Sequence, residues 1–370
     1  MTSGLRRQAD DVPAGERERA LAAEAERVRR TVLQPRNLEE RRILLVGGAG
    51  YIGCEVTAHL LDAGYRVRTV DVLMYENGVA VHGFLRDPHY EFRRLDLVDV
   101  DTLATALEDV TDVVVLAGLV GDSITRAYPE ASEAINVQGM RLLLDALAGH
   151  RLNKVTFVST CSNYGLIPDG ELAGEDFELK PLSPYAQAKV AIEQYIREIA
   201  DKVDYHATVL RFATAFGLSA RMRFDLTVSE FTREMFLRRE LLVFDAATWR
   251  PYCHVRDFGT LIQRVLEAPL ELVDGEVFNA GGDVNNYTKQ MIVDHLLSRL
   301  PDAPVRFQEH GSDPRNYRVS FAKVRERLQF EPEVTVPDGI DELLAALEAG
   351  LFRDVDARRT FYGNYEIMYP

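Results

Sequence analysis

The chain is poor in several features that mark particular classes of protein. Its 370 residues include three cysteines, Cys54, Cys161 and Cys253, which are too few for a disulfide framework and fit a reducing compartment. No apolar run reaches the roughly 18 residues of a membrane span, and the N-terminus lacks the apolar core of a signal peptide. We therefore expect a cytoplasmic protein that does not cross a membrane.

Positive charge is also scarce. The 58 acidic residues outnumber the 43 basic ones, and the formal net charge is −15. A chain of this charge is repelled by nucleic acid and by anionic membranes, so we expect neither as a partner. No cluster of histidine, cysteine and aspartate has metal-ligand spacing, so no metal is expected. An anionic substrate would need locally placed positive charge.

A glycine-rich turn follows the first predicted strand. Residues 43–46 form a short apolar run, typical of a buried parallel strand, and residues 54–63 have the pattern of a helix. Glycines between them let the backbone approach a pyrophosphate, and the helix N-terminus offers free N–H groups. This order predicts a dinucleotide site, although a glycine turn without a ligand is the alternative. The candidate cofactor contacts are Gly47, Gly50, Tyr51, Ile52 and Gly53.

Residues at the ends of later strands refine the predicted cofactor site. Asp71 ends the second strand, where an acidic side chain can hold the ribose hydroxyls and repels a 2′-phosphate; this favours NAD over NADP. Asp96 and Leu97 follow the third strand and could meet the adenine, with a surface aspartate as an equal alternative. Ala117 follows the fourth strand, and with the glycine after it lets a cofactor lie close.

Three residues suit proton transfer. Thr160 ends the fifth predicted strand, at the sheet edge where ligands bind in parallel sheets. Tyr185 and Lys189 stand four residues apart and share one face of a helix, which Ser183 and Pro184 are well placed to begin. Tyrosine has a pKa of about 10, which a nearby ammonium group lowers by favouring the phenolate. Such a pair alone is common on helix surfaces, but after the glycine turn and Thr160 it predicts catalysis.

The order of elements predicts the fold. Strand and helix alternate from residue 41 to about 217, which implies a parallel α/β sheet with right-handed crossovers. The predicted strands cover 43–46, 66–70, 91–95, 113–116 and 154–159. The predicted divisions are an N-terminal helical extension (1–40), a Rossmann domain (41–217, rejoined by about 254–281), a substrate-binding lobe (218–253 and 282–350) and a C-terminal tail (351–370).

These motifs resemble those of the extended short-chain dehydrogenases/reductases, the NAD-dependent epimerase/dehydratase family that acts on nucleotide sugars. The similarity runs from about residue 42 to about 346 and includes 211–217, 250–257, 278–281 and 313–319. It implies a Rossmann-type doubly wound sheet with a smaller C-terminal substrate-binding lobe, and a homodimer. It also implies that Tyr185 is the base, Lys189 binds the nicotinamide ribose and Thr160 hydrogen-bonds the sugar hydroxyl that is oxidised.

The resemblance extends to the substrate. Arg250 and Arg315 match positions that grip the nucleotide diphosphate, as a guanidinium fork suits phosphate oxygens. In so arginine-rich a chain, a solvated surface charge is the alternative for either one. Ser162, Thr214 and Arg221 are further candidates for substrate binding, and Thr214 stands where many epimerases have asparagine.

One departure from the family pattern bears on the reaction. Dehydratases of the family usually carry Asp-Glu directly after the catalytic threonine, where this chain has Cys161 and Ser162. Without a carboxyl there, no acid is evident for loss of the C6 hydroxyl, which favours an epimerase working through a keto-sugar formed at C4. The alternatives are a dehydratase or keto-sugar reductase of the same superfamily and a non-catalytic NAD-binding regulator.

Overall fold

A computed structural model describes residues 40–168, 170–311, 313 and 315–367 of the protein. The predicted N-terminal helical extension, apart from residue 40, lies outside the described residues, as do the last three residues of the predicted tail. No helix in the described ranges is long and apolar enough to cross a membrane.

Twelve strands occur in the described part of the chain. They are β1 (Arg42–Val46), β2 (Arg66–Asp71), β3 (Tyr90–Arg94), β4 (Asp112–Val115), β5 (Lys154–Thr160), β6 (His206–Phe212), β7 (Thr214–Phe216), β8 (Leu241–Phe244), β9 (Trp249–His254), β10 (Val277–Ala280), β11 (Asn286–Thr288) and β12 (Val305–Gln308). The first five agree with the predicted strands to within one residue at each end.

Twelve α-helices lie between and after these strands in the same described ranges. They are α1 (Tyr51–Asp62), α2 (Val100–Ala106), α3 (Asp122–Ala127), α4 (Pro129–Glu133), α5 (Met140–Ala146), α6 (Pro184–Ile199), α7 (Thr227–Phe236), α8 (Val255–Glu267), α9 (Leu270–Val273), α10 (Lys289–Leu297), α11 (Ala322–Leu328) and α12 (Val336–Glu348). Helix α1 begins three residues before its predicted start, because Gly50 is its N-cap and the last glycine of the motif is already helical.

Seven strands form one parallel sheet in the order β10-β6-β5-β4-β1-β2-β3. The chain runs outward from β1 to β3 and then returns to the other side of β1 with β4. The ends of β1 and β4 therefore form the crevice where ligands bind in sheets of this kind. The predicted Rossmann-type doubly wound fold is confirmed.

Both faces of the main sheet are covered, as the continuous apolar sequence of β1 predicts. Ile43 and Leu45 pack into a layer that includes α1 and α8, whereas Leu44 and Val46 pack into the layer of α2, α5 and α6. All four side chains are buried. The sheet therefore sits between two helical layers, and its carboxyl edge is left to face the rest of the molecule.

A smaller C-terminal lobe stands against that edge. It contains a three-stranded sheet in the order β11-β9-β7 and the parallel pair β12-β8. Its core joins α7, α10 and α12 through apolar residues such as Phe231, Ile292 and Leu343. The lobe predicted from sequence is thus present, while its exact division at 218–253 and 282–350 stays a prediction.

Residues 351–367, here called the C-terminal segment, return across the molecule after α12. The main-chain oxygen of Tyr362 accepts from the N–H of Phe224, over 2.8 Å, in the lobe. The side chain of Asn364 donates to the oxygen of Val120, over 2.7 Å, in the loop after β4. The segment therefore contacts both the lobe and the sheet domain.

Candidate active site

A cavity of about 610 Å³ lies between the carboxyl edge of the sheet and the C-terminal lobe. The loop after β1 lines one end, here called the cofactor end. The residues around Arg250 and Arg315 line the other, here called the substrate end. Every residue predicted to touch the cofactor or the substrate, except Lys189, lines this cavity. The structure thus brings together residues that are up to 268 positions apart in the chain (47 to 315).

The glycines of the loop are required by close backbone packing. Gly47 has a φ of +89°, and a Cβ on it would lie 2.7 Å from the nitrogen of Ala117. A Cβ on Gly53 would lie 2.4 Å from the oxygen of Gly47. No side chain caps the first turn of α1 at Gly50, so its N–H groups have no side-chain acceptor. This cradle fits the pyrophosphate of a dinucleotide.

Asp71 holds the glycine loop in place. Its carboxylate accepts from the N–H groups of Ala49, at 3.1 Å, and Leu73, at 2.8 Å. Burial raises the pKa of Asp71, and these two hydrogen bonds oppose that effect. Asn77, which no sequence motif marks, donates to the oxygen of Ala49 over 2.7 Å. Selection of NAD by Asp71 stays a prediction.

The remaining predicted cofactor residues lie around the same end. Leu97 is buried, and Asp96 beside it accepts from the N–H of Val98 at 3.2 Å. Tyr51 is buried and donates through its hydroxyl to the oxygen of Gly217 over 2.7 Å. The Tyr51 side chain thus connects the cofactor end to the lobe. This leaves the main chain of Tyr51 to line the cavity.

The three predicted catalytic residues come from β5 and α6. Thr160 ends β5, and its hydroxyl accepts from the N–H of Ser162 at 3.1 Å. Helix α6 begins as predicted, with Pro184 in its first turn and the Ser183 hydroxyl accepting from the N–H of Ala186. Tyr185 lies in the cavity wall. The Lys189 ammonium group lies behind it, 5.9 Å from the centre of the tyrosine ring.

The electrostatics of this pair differ from the sequence-based expectation. Burial raises the pKa of Tyr185 well above its ordinary value, and the strongest opposing charge is that of Arg223. Burial also lowers the pKa of Lys189, to about 8. Lys189 donates to the oxygen of Val158 over 2.8 Å rather than to the tyrosine. The predicted lowering of the tyrosine pKa is therefore wrong for this structure, because burial is the largest effect and the cation that opposes it is Arg223 rather than Lys189.

The substrate end contains cations that already have anionic partners. Asp313 accepts from Arg315 at 2.8 Å through both of its oxygens and pairs with Arg250 at 3.1 Å. Arg315 also pairs with Asp122, at 2.8 Å. The guanidinium of Arg250 lies 4.9 Å from the centre of the Tyr317 ring. The structure thus places the two predicted diphosphate arginines together, with carboxylates between and beside them.

The other predicted substrate residues are divided between the two ends. The Ser162 hydroxyl lies 3.1 Å from that of Tyr317, and Thr214 begins β7 at the cavity wall. Arg221 is buried at the cofactor end, with its guanidinium 4.5 Å from the centre of the Tyr75 ring. The geometry therefore separates Arg221 from Arg250.

Cys161 has a structural environment. It is buried, its thiol donates to the oxygen of Arg211 at 3.0 Å, and burial raises its pKa. Neither Cys161 nor Ser162 presents a carboxyl group beside Thr160.

His254 caps α8 and pairs with Glu342 at 2.8 Å. Among the described residues, no group of three or more histidine, cysteine or acidic side chains could hold a metal ion.

Several cavity residues were not found from the sequence. They are Tyr75, Asp122, Arg223, Asp225, Lys289, Tyr317 and Asn364. Arg223 and Asp225 form a bidentate ion pair, at 2.9 and 2.5 Å. They stand two residues apart in the segment assigned to the lobe. This spacing of opposite charges is the feature of the sequence from which the ion pair could have been predicted.

Comparison with known proteins assigns the family. Residues 43–281 match the model of the NAD dependent epimerase/dehydratase family. Because this match covers more than half of the chain, the chain belongs to that family. The predictions of the family and of NAD as its cofactor are confirmed.

The most similar proteins include both reaction types. The UDP-glucose 4-epimerase of Bacillus subtilis (strain 168) is 26% identical over an alignment of 330 residues, and the match covers 82% of this chain and 94% of that protein. The dTDP-glucose 4,6-dehydratase of Streptomyces niveus is 28% identical over an alignment of 320 residues, and the match covers 81% of this chain and 91% of that protein. Family membership alone therefore leaves the reaction open between epimerisation and dehydration.

A solved structure shows the same architecture. The UDP-glucose 4-epimerase of Thermotoga maritima, determined with UDP-glucose, has a TM-score of 0.74 and 26% identity to this chain. The similarity covers 84% of this chain and 99% of that one. Almost the whole of the compared chain is thus represented in this fold.

Proposed function

We propose that the protein is an NAD-dependent epimerase of a nucleotide sugar, working by transient oxidation of the sugar at C4. The observation that carries the proposal is the position of Thr160 and Tyr185 in one cavity wall, between a dinucleotide cradle and a pair of arginines. A non-catalytic protein that only bound NAD would not need this arrangement.

The residues of the cofactor end suit NAD. The main chain at Gly50, Tyr51 and Ile52 would hold the pyrophosphate, and Asp71 lies where a ribose would be recognised. When bound, NAD supplies a hydride acceptor that can later return the hydride to the sugar. Lys189, behind Tyr185, is assigned to the nicotinamide ribose.

Proton transfer is assigned to Tyr185. As the phenolate, Tyr185 would take the proton of the sugar C4 hydroxyl while a hydride leaves the same carbon, and the phenol so formed would return the proton when the ketone is reduced on its other face. Thr160 donates or accepts a hydrogen bond at the same sugar oxygen. Arg223, the strongest cation acting on Tyr185, would stabilise the phenolate against the effect of burial.

Epimerisation is favoured over dehydration by the residues after Thr160. Loss of a hydroxyl as water needs a proton donor, and the two following positions carry a buried thiol and a serine bonded to Tyr317. The dehydratase among the relatives keeps dehydration as the second candidate.

Arg250 and Arg315 are assigned to the diphosphate of the substrate. A homodimer and a cytoplasmic location stay predictions.

The proposal can be tested with a panel of nucleotide sugars incubated in D₂O without added cofactor. An epimerase would give a new sugar of unchanged composition, apart from deuterium gained, when the mixture is analysed by mass spectrometry and NMR. Deuterium at C3 or C5 would place the chemistry at those carbons. Loss of water from a substrate would contradict the proposal and establish a dehydratase, and stoichiometric consumption of added NADH would establish a reductase.

A further inference from the structure

One arginine at the cofactor end is buried without a carboxylate partner. Arg221 is only 2% exposed and lines the cavity. Its guanidinium donates to the main-chain oxygens of Gly363, at 3.3 Å, and Thr360, at 3.5 Å, while its Nε has no partner. Within the ranges that the structure describes, no acidic side chain forms an ion pair with it. Because an isolated buried charge is costly, an anion is expected to complete this site.

Other buried arginines show that the protein usually provides such a partner. Arg211, Arg223 and Arg233 are each less than 8% exposed, and each pairs with a carboxylate. Their partners are Glu193, Asp225 and Asp356, respectively. Arg221 differs from them in its direct contacts, which are main-chain oxygens and the face of Tyr75, while the carboxylates of Asp71 and Asp225 act on it from further away.

The surroundings of Arg221 place it beside the glycine loop. The Ser219 hydroxyl donates to the oxygen of Tyr51, over 2.7 Å, and so fixes the segment before Arg221 to the first turn of α1. Burial raises the pKa of Asp71, and the charge of Arg221 is near enough to oppose that change. The nearest expected anion is therefore the pyrophosphate at the start of α1, rather than the substrate diphosphate near Arg250.

The C-terminal segment closes the same end of the cavity. The Asn364 main chain donates to Asp225, at 3.2 Å, and its side chain donates to Val120, at 2.7 Å. Ile367 packs against an apolar cluster of the sheet domain that includes Met74 and Ile135. Asn364 and Tyr365 line the cavity. The segment thus spans from the lobe to the sheet domain, and its main-chain oxygens at Thr360 and Gly363 hold Arg221.

We propose that Arg221 is the cation that pairs with the pyrophosphate of the dinucleotide, and that the C-terminal segment completes this site by orienting the guanidinium. The inference rests on the proposed function, because it takes NAD as the ligand. Arg221, which the sequence predicts to bind the substrate, is thereby assigned to the cofactor. The segment lies beyond residues 43–281, which match the family model, so this part of the site belongs to the chain's own C-terminal region.

The main test is calorimetric titration of NAD into nucleotide-free Arg221→Met. We expect binding about 10- to 100-fold weaker than in the wild type, since a charge-assisted hydrogen bond is lost. The melting temperature without nucleotide should stay the same or rise, because an unpaired buried charge has been removed. A purely structural role would instead lower that temperature and leave the affinity for NAD unchanged, which would overturn the inference.

Arg233→Met is the matched control. Arg233 is also buried (7% exposed) but pairs with Asp356, at 2.7 Å, outside the cofactor cavity. This variant should melt at a lower temperature and bind NAD as tightly as the wild type. Equal losses of NAD affinity in both variants would show a general effect of removing a buried arginine and would overturn the inference.

Two further measurements separate the possible failures. Titration with UDP, dTDP, GDP and CDP should give the same affinities in Arg221→Met as in the wild type; weaker binding of any of these with unchanged binding of NAD would place Arg221 at the substrate diphosphate and overturn the inference. A wild-type protein that binds no NAD would overturn the proposed function itself. If the wild type binds NAD and Arg221→Met binds it equally well, only the inference fails.

The role of the C-terminal segment is tested by the rate of NAD release. Asn364→Ala removes the hydrogen bond to Val120, and we expect NAD to dissociate about 2- to 10-fold faster in stopped-flow displacement. Glu366→Ala, at an exposed neighbouring position, should leave the rate unchanged. An unchanged rate in Asn364→Ala would overturn the assignment of the segment to the site.

Discussion

The two ends of the cavity present positive charge in different ways. At the substrate end, Arg250 and Arg315 are paired with Asp313, and Arg315 also with Asp122. At the cofactor end, Lys189 and Arg221 are buried cations whose hydrogen bonds go to main-chain oxygens. An anion entering the substrate end must therefore compete with carboxylates in direct contact with the arginines. At the cofactor end, among the described residues, Arg221 and Lys189 form no direct ion pair, and Asp71, Asp225 and Glu193 act on them only from further away.

This difference is what a resident cofactor and an exchanging substrate require. A dinucleotide whose pyrophosphate pairs with Arg221 displaces no carboxylate from it, so it retains more of the electrostatic attraction. A substrate diphosphate that replaces existing ion pairs gains less, so it can leave after each turnover. We therefore expect tight binding at one end of the cavity and readily reversible binding at the other.

The largest expected effect is that of a substitution at Tyr185, which lies between the two ends of the cavity. Tyr185→Phe should lower kcat by about 10²- to 10⁴-fold, the usual contribution of a general acid–base group. Binding of NAD should be unchanged, because the substitution removes only a hydroxyl in the cavity wall. Turnover of the identified nucleotide sugar and titration of NAD provide the two measurements.

Tyr195→Phe is the control for this prediction. Tyr195 lies on the same helix, where its hydroxyl donates to Asp145 at the surface. It should retain full activity. Substantial activity in Tyr185→Phe would refute the assignment of Tyr185 as the base.

A single added methyl group should disrupt the glycine loop at the cofactor end. In Gly53→Ala, the new Cβ would lie 2.4 Å from the oxygen of Gly47 and 2.7 Å from the main chain of Gly48. The loop must shift, which should lower stability by about 1–3 kcal/mol and weaken NAD binding. Urea unfolding and NAD titration measure these effects. Gly174→Ala, where a Cβ meets no atom within 4 Å, is the control and should change neither quantity.

The cost of an unpaired cation at the cofactor end can be measured through pH. Unfolded lysine keeps its proton until about pH 10.4, whereas burial lowers the pKa of Lys189 to about 8. Between these values the unfolded chain binds more protons, so stability should rise with pH. From pH 8 to 9.5 the gain from this group is about 1.5 kcal/mol. Nucleotide-free Lys189→Met should lack that part of the pH dependence in urea unfolding; an unchanged slope would show that Lys189 does not titrate in this range.

The smallest expected effect is at the substrate end. Asp313→Asn removes the carboxylate that pairs with both arginines, so a nucleoside diphosphate no longer competes with it. The best binder among UDP, dTDP, GDP and CDP should bind about 2- to 10-fold tighter, while NAD binding stays the same. Asp302→Asn, at an exposed ion pair of 3.9 Å, is the control. Weaker diphosphate binding in Asp313→Asn would show that Asp313 positions the arginines rather than competing for them.

The parts of this molecule that were predictable are those built from neighbouring residues. The strand before Gly47, the helix start at Ser183 and the position of Tyr185 and Lys189 on one helix depend on local spacing, and the structure contains each of them. The pairing of Arg315 with Asp122 depends on residues far apart in the chain, and the spacing of motifs carries no sign of it. The raised pKa of Tyr185 was equally hidden, because burial is a property of the assembled fold.

The contact between Asn364 and Val120 also sets an order of events during synthesis. The two residues are separated by 244 positions. At about 5–20 residues per second, a ribosome makes the later partner about 12–50 s after the earlier one. During that interval the β4 loop and the apolar cluster around Met74 and Leu119 are without Ile367 and Asn364, which join them in the finished protein. The cofactor end of a nascent chain therefore stays without the contact between Asn364 and Val120 until the C-terminal segment has been synthesised.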